Sequence, residues 1–114
     1  MNRFENRVAV VSGAAQGIGR AVAERLAGEG ATVAAVDINA GGAAAAAKAL
    51  GDRTFPVACD IGDPDQVTKL FHAVAERAGK LDVLVNAAAI VPFVPWDELT
   101  FEEWRRVMRV NLDG

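Results

Sequence analysis

The chain has 114 residues, 52% of them hydrophobic, which allows one domain near the lower size limit for a multi-stranded α/β sheet. A net charge of −3 and a pI near 5.1 leave no basic footprint, so neither nucleic acid nor a membrane surface is an expected partner. The single Cys59 excludes an internal disulfide and a cysteine-paired metal site, and suits a reducing cytoplasm.

At the N-terminus, Met1 to Arg7 carries no signal-peptide core, and no apolar run approaches the roughly 18 residues of a membrane span. The first strand is expected at 7–12, where Val8-Ala9-Val10-Val11 leads into Ser12-Gly13-Ala14-Ala15-Gln16-Gly17-Ile18-Gly19. Glycines between a strand and a helix make a place for a phosphate. Gly13 permits the tight exit, Gly17 the approach of backbone N–H groups to a ligand, and Gly19 the close packing of helix on sheet. The spacing Gly-x-x-x-Gly-x-Gly differs from the Gly-x-Gly-x-x-Gly fingerprint, and no Lys-Ser/Thr ending makes it a P-loop. Val22 and Leu26 carry the helical period onward from Ile18, and Gly28 and Gly30 end it.

A second strand over 32–37 ends on Asp37, 18 residues beyond Gly19, where an acidic side chain would accept the adenosine ribose hydroxyls of a dinucleotide. A carboxylate there repels the extra phosphate of NADP, and neither Gln16, Ile38 nor Asn39 supplies an attracting cation. NAD is therefore the expected cofactor. Residues 40–50 form an alanine-rich helix with a thin side-chain layer. The third strand, 54–59, delivers Asp60 and Ile61 to the same carboxyl edge. There Asp60 is placed to accept the adenine amino group and Ile61 to pack on the ring; the plainer reading of Asp60 is a turn aspartate before Gly62.

The third helix is capped by Asp63, takes Pro64 at its first position, and stops at Gly79. Its apolar stripe is Val67, Leu70, Phe71, Val74, Ala75 and Ala78, with His72 off the stripe and solvent-facing. The fourth strand, 81–86, ends on Asn86, either a simple terminator or a contact to loop or ribose. A fourth helix begins at Thr100, which forms a capping box with Glu103, while Leu99 and Trp104 fit a hydrophobic staple. Arg105, Arg106 and Arg109 beside Glu102 and Glu103 read as a solvated face; Trp104, Val107 and Met108 read as the buried one, and Asn111 falls on it. Strand and helix alternate throughout, which predicts a single α/β domain over 1–114, a Rossmann-type doubly wound parallel sheet of four strands.

Ser12 to Gly19, Asp37, Cys59-Asp60-Ile61, Leu84-Val85-Asn86-Ala87-Ala88-Ala89 and Val110-Asn111-Leu112-Asp113-Gly114 together resemble the short-chain dehydrogenase/reductase family over the full length of the chain. The resemblance implies an NAD(P)-dependent oxidoreductase acting on a small alcohol or carbonyl compound, assembled as a homodimer or homotetramer. It implies cofactor contacts at Ser12, Gly13, Gln16, Gly17, Ile18, Gly19, Asp37, Ile38, Asp60, Ile61, Asn86, Ala87 and Ala88. It implies for Asn111 a catalytic part, helping to hold a water beside the family's lysine. The family's Asn-Asn-Ala-Gly is here Asn86-Ala87-Ala88-Ala89, which puts the hydrogen bonds of the second Asn and the freedom of the Gly in question. Ile90 to Leu99, with Phe93 and Trp96, is similar to members that act on aromatic alcohols and aldehydes; covering the sheet edge is the plainer role.

Hydride transfer needs a group to take or give the hydroxyl proton. In the family a Tyr does this beside a Lys and a Ser, yet this chain has no Tyr, and its only Ser is Ser12. Two expectations follow. The chain is the cofactor-binding N-terminal half of an NAD-dependent dehydrogenase, truncated before the catalytic Ser, Tyr and Lys, or it is a stand-alone, non-catalytic dinucleotide-binding or oligomerisation module. The first is favoured, because a lone half would leave the fourth strand as an exposed apolar edge.

Overall fold

A computed structural model describes residues 2–114. Four strands, β1 (Val8–Ser12), β2 (Thr32–Asp37), β3 (Thr54–Ala58) and β4 (Val83–Asn86), form one sheet in the order β3-β2-β1-β4. Every neighbouring pair is parallel, with Val10 beside Ala34 and Leu84, and Asp37 beside Ala58. Buried on both faces, β1 and the middle of β2 need no alternation of polar and apolar residues, and Val8-Ala9-Val10-Val11 shows none.

The helices α1 (Gly17–Gly28), α2 (Ala40–Leu50) and α3 (Pro64–Ala78) are the crossovers. Ala23 and Leu26 of α1 pack on Ala9, Val11, Val33 and Ala35 on one face of the sheet, and Leu50 of α2 joins them. Leu70 and Val74 of α3 pack on Val8, Val10, Val36 and Phe55 on the other. The sheet is therefore doubly wound. At 4% and 2% exposure, Leu70 and Val74 each contribute about 2 kcal/mol of apolar burial. The α3 stripe is narrower than the sequence suggests, since Ala75 is exposed, and His72 faces solvent.

After β4 the chain runs without regular structure to a single 3-10 turn (Trp96–Glu98), then into α4 (Phe101–Met108) and a π-helical turn (Arg109–Asp113) closed by a 2.9 Å bond from Gly114 N–H to the Arg109 carbonyl. The expected buried face of α4 is not buried. Trp104 is exposed, Val107 and Met108 are half-buried, and no residue of the helix is fully buried, because no element among the described residues packs across its apolar stripe. Its capping box forms in one direction only: Thr100 Oγ1 accepts from the Glu103 N–H at 3.1 Å, while the Glu103 carboxylate turns to Arg106 at 2.6 Å. β4 is also shorter than expected at its start, where Asp82 turns its carboxylate onto the Val8 N–H at 2.8 Å. β4 is the sheet edge, with Leu84 half exposed.

Candidate functional site

Strand order reverses at β1, where the chain returns from β3 to place β4 on the far side. Open parallel sheets bind ligands at such a crevice, outside the carboxyl ends of the strands. Here it is a cavity of about 600 Å³. Gly13 to Gly19 except Ala14, then Asp37 to Asn39, Cys59 to Ile61, Ala87 to Ile90 and Val110 supply most of its wall.

The β1–α1 turn is shaped for close approach. Gly13 and Gly17 hold φ of 68° and 60°, a region that side chains rarely enter. A Cβ on Gly13 would lie 2.9 Å from the Ala87 carbonyl, and one on Gly19 would lie 2.1 Å from the Gly13 carbonyl oxygen. Strand exit, helix start and β4 loop thus touch backbone to backbone. Asn39, Asp63 and Thr100 cap α2, α3 and α4 with side-chain oxygens, whereas α1 begins after Gln16 with no side-chain cap and no acidic residue in its first turn. Its leading N–H groups and positive dipole end therefore face the cleft.

Asp37 stands where the sequence places it, at the end of β2. Its carboxylate accepts from the Ala15 N–H and the Asn39 N–H, both at 3.0 Å, which aims it across the mouth of the glycine turn and leaves lone pairs for a ligand. Ile18 and Ile38 line the same opening at 79% and 70% exposure, two large apolar side chains with little of the protein against them. Among the described residues the wall contains Asp37 and Asp60 and no Lys or Arg. Cys59 lines it too; burial, then the neighbouring Asp60 and Asp63, push its thiol pKa up.

Asp60 accepts from the Gly62 N–H at 2.9 Å and from Arg109 Nη1 at 3.0 Å. Arg109 therefore does not belong to a purely solvated face, as its spacing suggested; it reaches back to the β3 loop. Asn111 is exposed rather than buried, and its amide clasps the Ile90 backbone from both sides, accepting from the N–H at 2.9 Å and donating to the carbonyl at 2.8 Å. Two expected contacts sit off the cleft. Ser12 is 4% exposed, and its hydroxyl accepts from the Ala87 and Ala88 N–H groups at 3.2 Å and donates to the Val85 carbonyl. It holds the β4 exit loop in place at Ala87 and Ala88. Asn86 is exposed at the end of the edge strand and does not line the cavity. Asn39 was legible only as a missing cation, although an Asn before an alanine run is itself a helix-cap signal; its Oδ1 caps α2 at 2.9 Å.

Among the described residues no helix is long and apolar enough to cross a membrane. Residues 7–114 match the family described as short chain dehydrogenase. The chain is 43% identical to D-threitol dehydrogenase of Mycolicibacterium smegmatis, with 98% of this chain and 44% of that protein covered. It is 46% identical to cis-4-hydroxycyclohexanecarboxylate dehydrogenase of Sinomonas cyclohexanicum, covering 97% and 46%. A solved structure of 3-ketoacyl-(acyl-carrier-protein) reductase from Brucella melitensis, complexed with NADH, superposes with a TM-score of 0.92 at 35% identity, over 96% of this chain and 46% of that one. The chain thus spans less than half the length of these relatives. The glycine turn, the acidic end of β2 and the four-stranded parallel sheet all lie within the matched residues, and the chain belongs to the short-chain dehydrogenase family.

Proposed function

We propose that this chain holds NAD in the cleft at the carboxyl edge of the sheet, as the cofactor-binding half of an oxidoreductase that interconverts an alcohol and a carbonyl compound. The observation that carries the reading is the pairing of an uncapped helix N-terminus with Asp37 in a wall that has no cation. The cavity of about 600 Å³ suits a cofactor-sized ligand. With no Lys or Arg in the wall, the amides of Gly17, Ile18 and Gly19 bind the pyrophosphate. Asp37 accepts the adenosine ribose hydroxyls; Asp60 and Ile61 take the adenine; Ala87 and Ala88 border the cofactor at the β4 loop.

When bound, NAD supplies the nicotinamide carbon that takes or gives the hydride. The residues of this chain position that carbon, and Asn111 steadies the loop beside it through Ile90. The proton at the substrate oxygen needs a group outside these residues, since the chain has no Tyr and its single Ser is committed to the β4 loop. Phe93 and Trp96, 96% and 85% exposed after β4, favour a substrate with an aromatic or other ring. Exposed Phe101 and Trp104 on α4 support assembly as a homodimer or homotetramer, and the lone unpaired cysteine suits a cytoplasmic setting.

Calorimetric titration with NAD and NADP tests the reading. A carboxylate near a second phosphate costs at least about 1.4 kcal/mol, so NAD should bind at least about tenfold more tightly. Asp37→Asn should erase most of that preference. Equal or reversed affinity in the unaltered protein would remove the role given to Asp37.

A further inference from the structure

We infer that Arg109 is a positioning residue for adenine recognition, acting through Asp60 from a different element of the fold. The inference rests on the proposed seating of the adenine beside Asp60.

Asp60 lies in the loop after β3, and Arg109 opens the π-helical turn after α4; 49 residues separate them. One carboxylate oxygen of Asp60 takes the Gly62 N–H at 2.9 Å, the other takes Arg109 Nη1 at 3.0 Å, and the Asp60 N–H donates to Gln66 Oε1 at 2.8 Å. Two bonds, one to each oxygen, orient the carboxylate, and the third holds the backbone that carries it. An ionised carboxylate has about four acceptor sites, so those not used by the protein remain for an exocyclic amino group. The side chain of Asp60, which lines the cleft, is 20% exposed, and that of Arg109, which reaches it from outside the lining residues, is 44% exposed. Such a pair stabilises the fold little. Its consequence is geometric and electrostatic: it aims Asp60 and offsets a negative charge that would oppose a pyrophosphate in a wall without cations.

The contact has a second support. A Cβ on Gly62 would meet Arg109 Nη1 at 2.3 Å, so the absence of a side chain at 62 makes room for the guanidinium. Across the same turn, a Cβ on Gly114 would lie 2.9 Å from Ile61 Cδ1. The turn after α4 is thereby fitted against Asp60, Ile61 and Gly62 together, and Val110 from that turn lines the cavity. The adenine end of the cleft is built jointly by the β3 loop and the end of α4.

The test compares NAD with its analogue carrying purine in place of adenine, which lacks only the amino group, in the intact protein. A hydrogen bond to a charged acceptor should make the unaltered protein prefer NAD by about tenfold. Arg109→Met removes the anchor. Gly62→Ala displaces the guanidinium while leaving Arg109 in place, and keeps the test open if the first variant folds poorly. In both, the preference should fall below about threefold, as Asp60 loses its fixed direction. A merely structural role would weaken both ligands alike and leave the ratio near its original value, which would overturn the inference. If the unaltered protein does not distinguish the two ligands, the seating of adenine on Asp60 is itself wrong, and the role of Arg109 falls with it.

Discussion

Ser12 shows how a residue that looks like a ligand contact becomes a fastener. Its hydroxyl satisfies two N–H groups of the β4 loop and is buried behind the turn. Ser12→Ala would remove the partner of both half-buried amides, and a lost hydrogen bond of this kind costs about 1 kcal/mol. Denaturant unfolding should show that loss, whereas Ser12→Thr, which keeps the hydroxyl, should recover most of it. A neutral Ser12→Ala would mean the loop is held by other contacts. Asn111 follows the same pattern. Its position on the helical stripe suggested a buried polar group needing a partner, and the partner is the Ile90 backbone, but the residue is exposed. Neither pairing was readable from spacing, because each joins residues that lie far apart in the chain.

Among the elements, α1 depends most closely on a single missing side chain. A Cβ on Gly19 would sit 2.1 Å from a backbone oxygen that cannot rotate away, while one on Gly28, in the last turn of the same helix, meets nothing within 4 Å. Gly19→Ala should cost about 2 kcal/mol or more, by forcing the helix off the turn, and should abolish NAD binding. Gly28→Ala should be neutral or stabilise by up to about 1 kcal/mol, since alanine is the better helix former. Thermal melts and titrations of the two variants check this contrast; equal effects would deny that α1 is packed through Gly19. The helices were legible where their signals are local. Asp63, Pro64 and Gly79 bound α3 as expected, with Asp63 accepting from the Asp65 N–H at 3.0 Å. The apolar stripe of α4 holds as a pattern, but none of its residues is buried, because among the described residues no element packs across it. Periodicity reports which face is apolar; it does not report whether another element covers that face.

For the molecule as a whole, parallel order and double winding followed from the alternation of strand and helix, and each strand ends within a residue or so of its expected limit except at the start of β4. What alternation could not show is how the outer segments are tied down. Glu29, at the end of α1, pairs with Arg3 at 2.5 Å and Arg25 at 2.7 Å, anchoring the N-terminal segment to the sheet's first crossover. The hydrogen bond from Arg3, then that from Arg25, holds the Glu29 carboxyl at about 2, against an ordinary value of 4.5. A carboxyl depressed by folding stabilises fully above its unfolded pKa and loses that contribution as pH falls through its folded one. Melting temperature should therefore drop between about pH 5 and pH 2 more steeply in the unaltered protein than in Glu29→Gln. Parallel curves would show that the network does not contribute.

In the cleft, the amides of α1 and the carboxylate of Asp37 share a wall that, among the described residues, has no Lys or Arg. A crystal structure of the protein with NAD tests the proposed binding there most directly. The pyrophosphate should lie within hydrogen-bond distance of the Gly17 to Gly19 amides, with both Asp37 oxygens turned to the adenosine ribose hydroxyls. A dinucleotide bound with its pyrophosphate away from the α1 N-terminus, or with Asp37 turned to solvent, would contradict the account.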